Sequence, residues 1–311
     1  MPDAAQSVLD RLRNKARTSG KTTQLMLQLF CQEEFLRRLQ LSQYHDNLIL
    51  KGGLLLYSLS KFAGRPTMDV DLLAKSIHSE LSTLERVVRE IVQTSTGNDF
   101  ITFEIAATEP ITELGAYSGV RIKLVGRIKN TKTAFHIDIG IGDVIVPKPI
   151  VRPIPTQLDG FVEPAVLSYS LESTVAEKLD AIISRMELTS RMKDFYDLHY
   201  LAQTVSFDAR TLQEAIYQTL QRRGTPIERD TLIRVRHLAD SPSFQSKWER
   251  FERDRLTHPL GLGEVMNSVC ALIGPIFEAI VDEREAFGMW DQTLQRYTTA
   301  GDASGSGKVP D

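Results

Sequence analysis

The sequence predicts an α+β protein, a mixed sheet with helices followed by a helical second half. Three observations carry this. Over 100–107, 119–128 and 133–146 apolar residues alternate with polar ones or run together, as in strands. An apolar run at 47–51 breaks at Gly52-Gly53 and resumes as a helical pattern over 54–62. Beyond the Pro-rich stretch 147–155 the apolar spacing becomes helical and stays so.

In chain order, Leu25, Leu29, Leu36 and Leu39 recur at near-helical spacing, predicting a core-packing helix over 23–41 with Thr22 or Thr23 as its N-cap. A loop punctuated by Gly64 and Pro66 precedes a strand expected at 67–73, and 80–94 has helical periodicity. Helices are then expected over 171–186, 193–204, 208–222, 228–238, 243–255 and 262–288. The Gly/Ser composition after 296 reads as a disordered tail. The expected organisation is a sheet lobe with N-terminal helices over 1–155, a helical lobe over 156–296 and a tail over 297–311.

Of the 311 residues, 42% are apolar and 25% charged, the composition of an ordinary globular protein. A net charge of −3 argues against a surface coated in positive charge, although 11–21 and 222–255 hold enough Lys and Arg to face phosphates locally. No membrane span and no secretory signal are expected, which places the protein in the cytoplasm. Cys31 and Cys270 both sit in apolar surroundings and are expected to be buried. Gly20-Lys21-Thr22 and Gly307-Lys308 imitate the end of a P-loop, but Lys15 and Asp302 stand where its first glycine is required.

The chemistry is expected on the first half. Successive strand residues point to opposite faces, so Asp69 and Asp71 share one face and Met68, Val70 and Leu72 the other. Two carboxylates side by side repel unless a cation sits between them, and hard oxygen ligands suit Mg²⁺. The Gly52-Gly53 turn, 15 residues upstream, exposes backbone N–H groups at a helix N-terminus, where phosphate oxygens bind, and Lys51 adds a charge. In 135–141 the odd-numbered residues are apolar, leaving His136, Asp138 and Gly140 on the other face, so that Asp138 can complete an acid triad for two Mg²⁺ ions. Asp143 reads as a turn residue.

A Gly-Gly turn, Asp-x-Asp and a lone strand Asp, in this order, resemble the polymerase-β-like nucleotidyltransferase superfamily. Within it, Lys51-Gly52-Gly53 with Arg65-Pro66-Thr67-Met68-Asp69-Val70-Asp71-Leu72 resembles the AbiEii/AbiGii group of toxins. So do Glu177-Lys178-Leu179 and the segment Arg191-Met192-Lys193-Asp194-Phe195-Tyr196-Asp197-Leu198. The likeness spans 50–198, and Gly53 departs from the superfamily, where Ser is common.

The resemblance implies a polymerase-β-like mixed sheet followed by a helical C-terminal lobe, and catalytic roles for Asp69, Asp71, Asp138, Lys178 and Asp194, the first three holding Mg²⁺ or Mn²⁺. Lys51, Gly52, Gly53, Arg65, Lys178 and Arg185 would bind the nucleotide. Lys178 and Arg185 lie two helical turns apart on one face of the expected helix, from which both can reach a cleft between lobes, while Asp197 can form a helix ion pair. The implied function is that of a toxin with a cognate antitoxin encoded nearby. It would transfer a nucleoside monophosphate from an NTP to RNA, foremost the tRNA 3′ end. A protein or small-molecule acceptor, and a non-catalytic nucleotide-binding module, are the competing readings.

Overall fold

The computed structural model describes residues 3–62, 64–113 and 116–299, with side chains described throughout except at 113, 116–118 and 187. Two compact units divide the chain: Met1–Asp143 with Pro149–Tyr169, and Val144–Lys148 with Ser170–Asp311. The sheet unit therefore extends past the break expected at 155.

In the first unit, α1 (Ala4–Ser19) is capped by Asp3 and closed by Gly20 in the left-handed region, and α2 (Thr23–Leu41) is capped by Thr22, whose hydroxyl accepts from the Leu25 N–H. Then come β1 (Leu48–Lys51), α3 (Gly52–Leu59), β2 (Asp69–Ala74), α4 (Leu81–Gln93), β3 (Ile101–Glu113), β4 (Ala116–Ile128), β5 (Thr131–Ile141), β6 (Ile150–Pro153) and β7 (Ala165–Ser168). All seven strands form one sheet in the order β3-β4-β5-β2-β1-β7-β6. The pairs β2–β5 and β1–β7 are parallel and the others antiparallel.

Val70 and Leu72, Val120, Ile122 and Leu124, and Ile137 and Ile139 are buried from β2, β4 and β5. Burying each is worth about 1.5–3 kcal/mol, and a slip of one residue would exchange this row for the charged one. The apolar alternation thus fixes which face the acids take.

The helix expected over 23–41 is present, but it is buried nearly all round rather than on one stripe. Its acids and bases therefore need partners. Arg37 bonds Glu33 and Glu34 at 3.2 and 3.1 Å, and Arg38 bonds Glu34 at 3.3 Å. Burial pushes the Glu33 carboxyl up to about 7 against the pull of Arg37. Burial likewise pushes the Cys31 thiol up to about 12.

The bases of 11–21 are largely spoken for. Lys15 donates to the Gln157 carbonyl, Arg11 to that of Asp159, and Lys21 to Tyr57 Oη. These bonds hold α1 to its own unit.

The second unit contains α5 (Leu171–Ile183), α6 (Met192–Thr204), α7 (Ala209–Arg223), α8 (Thr231–His237), α9 (Pro242–Arg255), α10 (Leu262–Val281) and a hairpin of β8 (Met289–Asp291) and β9 (Arg296–Thr298). Ser170 and Asp208 cap α5 and α7, and Gly224 ends α7 in the left-handed region. Tyr297 and Thr298, expected in the tail, belong to β9. Residues 300–311, including Gly307-Lys308, lie outside the described residues. The helix expected to reach 288 stops at Val281.

By length and composition α10 could cross a membrane, contrary to the expectation that no apolar run comes close. It carries Glu264 and Glu278, however, and packs against α6 and α7 with Val265, Leu272, Ile273 and Ile276 buried. Cys270, expected to be buried, is only half-buried. Many bases of 222–255 pair with acids, among them Arg223 with Asp180 and Arg229 with Asp282.

Candidate active site

Strand register assembles the site on the sheet. Lys51 of β1 lies opposite Asp71 of β2, Asp71 opposite Asp138 of β5, and Asp138 opposite Arg121 of β4. One row therefore reads cation, acid, acid, cation across four strands. The neighbouring row places Asp69 opposite His136 and His136 opposite Lys123. Directly opposite residues share a face, so the charged face faces away from the apolar row.

Asp69 and Asp71 share a face as the alternation required. Burial, followed by repulsion from Asp71 and Asp138, raises the Asp69 carboxyl above its ordinary range. No hydrogen bond or ion pair holds the Asp69 carboxylate among the described residues, whereas Asp71 Oδ2 accepts from the Gly53 N–H at 3.3 Å. These features can seat a dication: two oxygen donors, excess negative charge and the backbone N–H groups of a helix start beside them.

Both glycines are required by close approach. Gly52 has φ +67°, and a Cβ there would stand 2.1 Å from Asp71 Oδ2. At Gly53 a Cβ would stand 2.7 Å from Thr67 Oγ1 and 3.7 Å from a guanidinium nitrogen of Arg65. The departure from Ser at this position thus has a local cause: the Thr67 side chain fills the space. It also brings Arg65 beside the helix start.

The remaining sheet residues are already engaged. Arg121 grips Asp138 with two hydrogen bonds, Nε to Oδ1 at 2.8 Å and a terminal nitrogen to Oδ2 at 2.6 Å. Lys51 Nζ bonds Asp143 Oδ2 at 2.8 Å and lies over the Tyr169 ring. Asp143 is therefore the partner of Lys51 rather than a plain turn residue. Among the described residues no three His, Cys, Asp or Glu side chains gather in metal-ligating geometry. The pair Asp69 and Asp71 fits Mg²⁺ with substrate phosphates completing its shell, while Asp138 is held by a guanidinium.

In the second unit Lys178 of α5 is buried between two acids of α6, at 3.3 Å from Asp194 Oδ1 and 2.5 Å from Asp197 Oδ2. Arg191 Nε bonds the other oxygen of Asp194 at 2.6 Å. Burial alone would raise the Asp194 carboxyl, but Lys178 and Arg191 outweigh it and hold it below the ordinary range. Asp197, read as a helix ion-pair partner, is a principal partner of Lys178. Arg185 does not keep the expected helical relation to Lys178, because α5 ends at Ile183 with Ser184 as its C-cap.

Sequence reasoning missed Arg121, Lys123 and Asp143 as site neighbours. Alternation in 119–128 places Arg121 and Lys123 on the polar face. Nothing local, however, shows which acid of another strand lies opposite.

The AbiEii nucleotidyl transferase toxin model, of a type IV toxin–antitoxin system, matches residues 34–282. Among solved structures the fold is similar to MenT4, a nucleotidyltransferase toxin from Mycobacterium tuberculosis H37Rv, with TM-score 0.56 and 19% identity over 92% of each chain. A putative nucleotidyltransferase from H. pylori aligns with TM-score 0.45 and 17% identity over 83% of this chain and 98% of that one. No curated protein matches the sequence significantly. With four-fifths of its length inside the family match and the family's motifs placed on the sheet face and on α5 and α6, the chain belongs to the AbiEii nucleotidyltransferase toxins, of a type IV toxin–antitoxin system.

Proposed function

We propose that this toxin transfers a nucleoside monophosphate from an NTP to the 3′ end of a tRNA in the cytoplasm, releasing pyrophosphate, and that a cognate antitoxin restrains it. The observation that carries this reading is the pair Asp69 and Asp71, set beside the Gly52-Gly53 helix start and without an ion pair of its own among the described residues. Asp69 and Asp71 would hold Mg²⁺ or Mn²⁺, which supplies charge neutralisation at the phosphates and orients the attacking hydroxyl.

The chain's own groups do the rest. The N–H groups at the start of α3 and the guanidinium of Arg65 hold the triphosphate, and Lys51 adds positive charge next to it. Asp138 completes the acid set on the acceptor side. Lys178, Asp194 and Arg185 serve the same reaction, with Asp194 and Asp197 fixing the amine of Lys178. The row order of the sheet provides the positioning on which phosphoryl transfer chiefly depends.

The test is incubation of the protein with α-labelled NTPs, total RNA and total protein, with and without Mg²⁺. Label entering RNA at the 3′ end only when Mg²⁺ is present is the expected result. Label in protein would replace the RNA acceptor by a side chain, and label in neither would overturn the reading.

A further inference from the structure

We infer that Arg121 is a positioning residue that keeps Asp138 out of the resting metal site, so that the enzyme without nucleotide holds one divalent cation, on Asp69 and Asp71. The inference rests on the metal reading above and deepens it. Three observations carry it. Arg121 and Asp138 lie directly opposite on β4 and β5, so the pairing is set by backbone register. The contact is a two-point fork that occupies both carboxylate oxygens, at 2.8 and 2.6 Å. Among the described residues no three-ligand cluster forms, although Asp71 and Asp138 are themselves register partners.

A carboxylate with both oxygens bound to a guanidinium has little left to offer a metal, and a fixed positive charge beside it repels an incoming dication. Among the described residues Asp69 and Asp71 have no ion-pair partner and feel Arg121 more weakly than Asp138 does, so the first ion settles there. Asp138 joins only when another anion draws the guanidinium away, and the triphosphate is the natural candidate because Arg pairs with phosphate as readily as with carboxylate. Arg121 thus ties completion of the acid set to arrival of the substrate.

The full chain, free of nucleotide, is titrated with Mn²⁺ and the free ion is followed by electron paramagnetic resonance. Wild type is expected to bind one ion. Arg121→Gln should bind a second ion or hold the first about tenfold more tightly, because a positive charge has left and a carboxylate has been freed, whereas the double variant Arg121→Gln with Asp138→Asn, which removes the ion pair whole, should bind one ion with affinity within about twofold of wild type. The inference is overturned if Arg121→Gln matches wild type in number and affinity, or if wild type binds two ions. It is also overturned if the double variant weakens the first ion by about tenfold, a result available even where Arg121→Gln alone does not fold. Wild type binding no ion at all contradicts the metal reading itself, which separates the two failures.

Discussion

The charged face of the sheet and the ion cluster of the helical unit both set carboxylates beside cations, but they differ in what is left over. On the sheet Asp138 and Asp143 have Arg121 and Lys51, while Asp69 has no ion-pair partner among the described residues, and repulsion from Asp71 and Asp138 outweighs the weaker attraction of His136 and Arg121. In the helical unit Lys178 and Arg191 meet Asp194, and Lys178 also meets Asp197, all within bonding distance and three of the four side chains buried. Excess charge that a partner must neutralise belongs to a binding site. Charge already neutralised in a dry interior belongs first to the fold, and whatever it contributes to chemistry depends on that fold.

This contrast can be broken by variants that separate stability from transfer. The largest expected stability loss is at Lys178. Lys178→Met would leave Asp194 and Asp197 buried without their amine, at a cost of about 3–5 kcal/mol, read from urea unfolding. Equal stability of variant and wild type would refute the description of the cluster as structurally necessary. Gly52→Ala should cost less, about 1–3 kcal/mol, from the strain of a positive φ alone. The added Cβ also lands on Asp71 Oδ2, so transfer should fall further than the melting temperature suggests.

Glu33 sharpens the comparison from a region with no proposed chemistry. Its carboxyl is raised from 4.5 to about 7 by burial, so the stability it contributes is fully present below pH 4.5 and is lost as pH rises through about 7. Glu33→Gln should flatten the stability profile between these values by roughly 3 kcal/mol. A wild-type profile already flat across this range would show that Arg37 compensates the burial completely.

Much of this fold is legible in the sequence where one element explains itself. The alternation of β2 and β5 separates Asp69, Asp71 and Asp138 from the apolar row, and Thr22 announces the start of α2. Strands β6 and β7 went unseen because each is only four residues long and lies in or just beyond the Pro-rich stretch, and their pairing depends on β1, far away in sequence. The same limit applies within the site. Arg121 and Asp138 lie 17 positions apart, and Lys51 and Asp143 lie 92 apart, so their bonds follow from strand order, which no local pattern encodes. Arg185 shows the opposite error, since helical periodicity ran on past the point where Ser184 caps α5.

In the proposed reaction the acid pair Asp69 and Asp71 on β2 carries the chemistry. This role is tested most directly by the single-turnover rate of nucleotide transfer to RNA by Asp71→Ala, with an unfolding curve of the same preparation. The expected rate is lower by about 10³-fold, since charge neutralisation by a bound cation is worth several kcal/mol. The expected melting temperature is no lower than that of wild type, because removing one of two repelling carboxylates relieves Asp69. A folded Asp71→Ala protein that transfers within about tenfold of the wild-type rate, a loss of about 1.4 kcal/mol, would contradict this role.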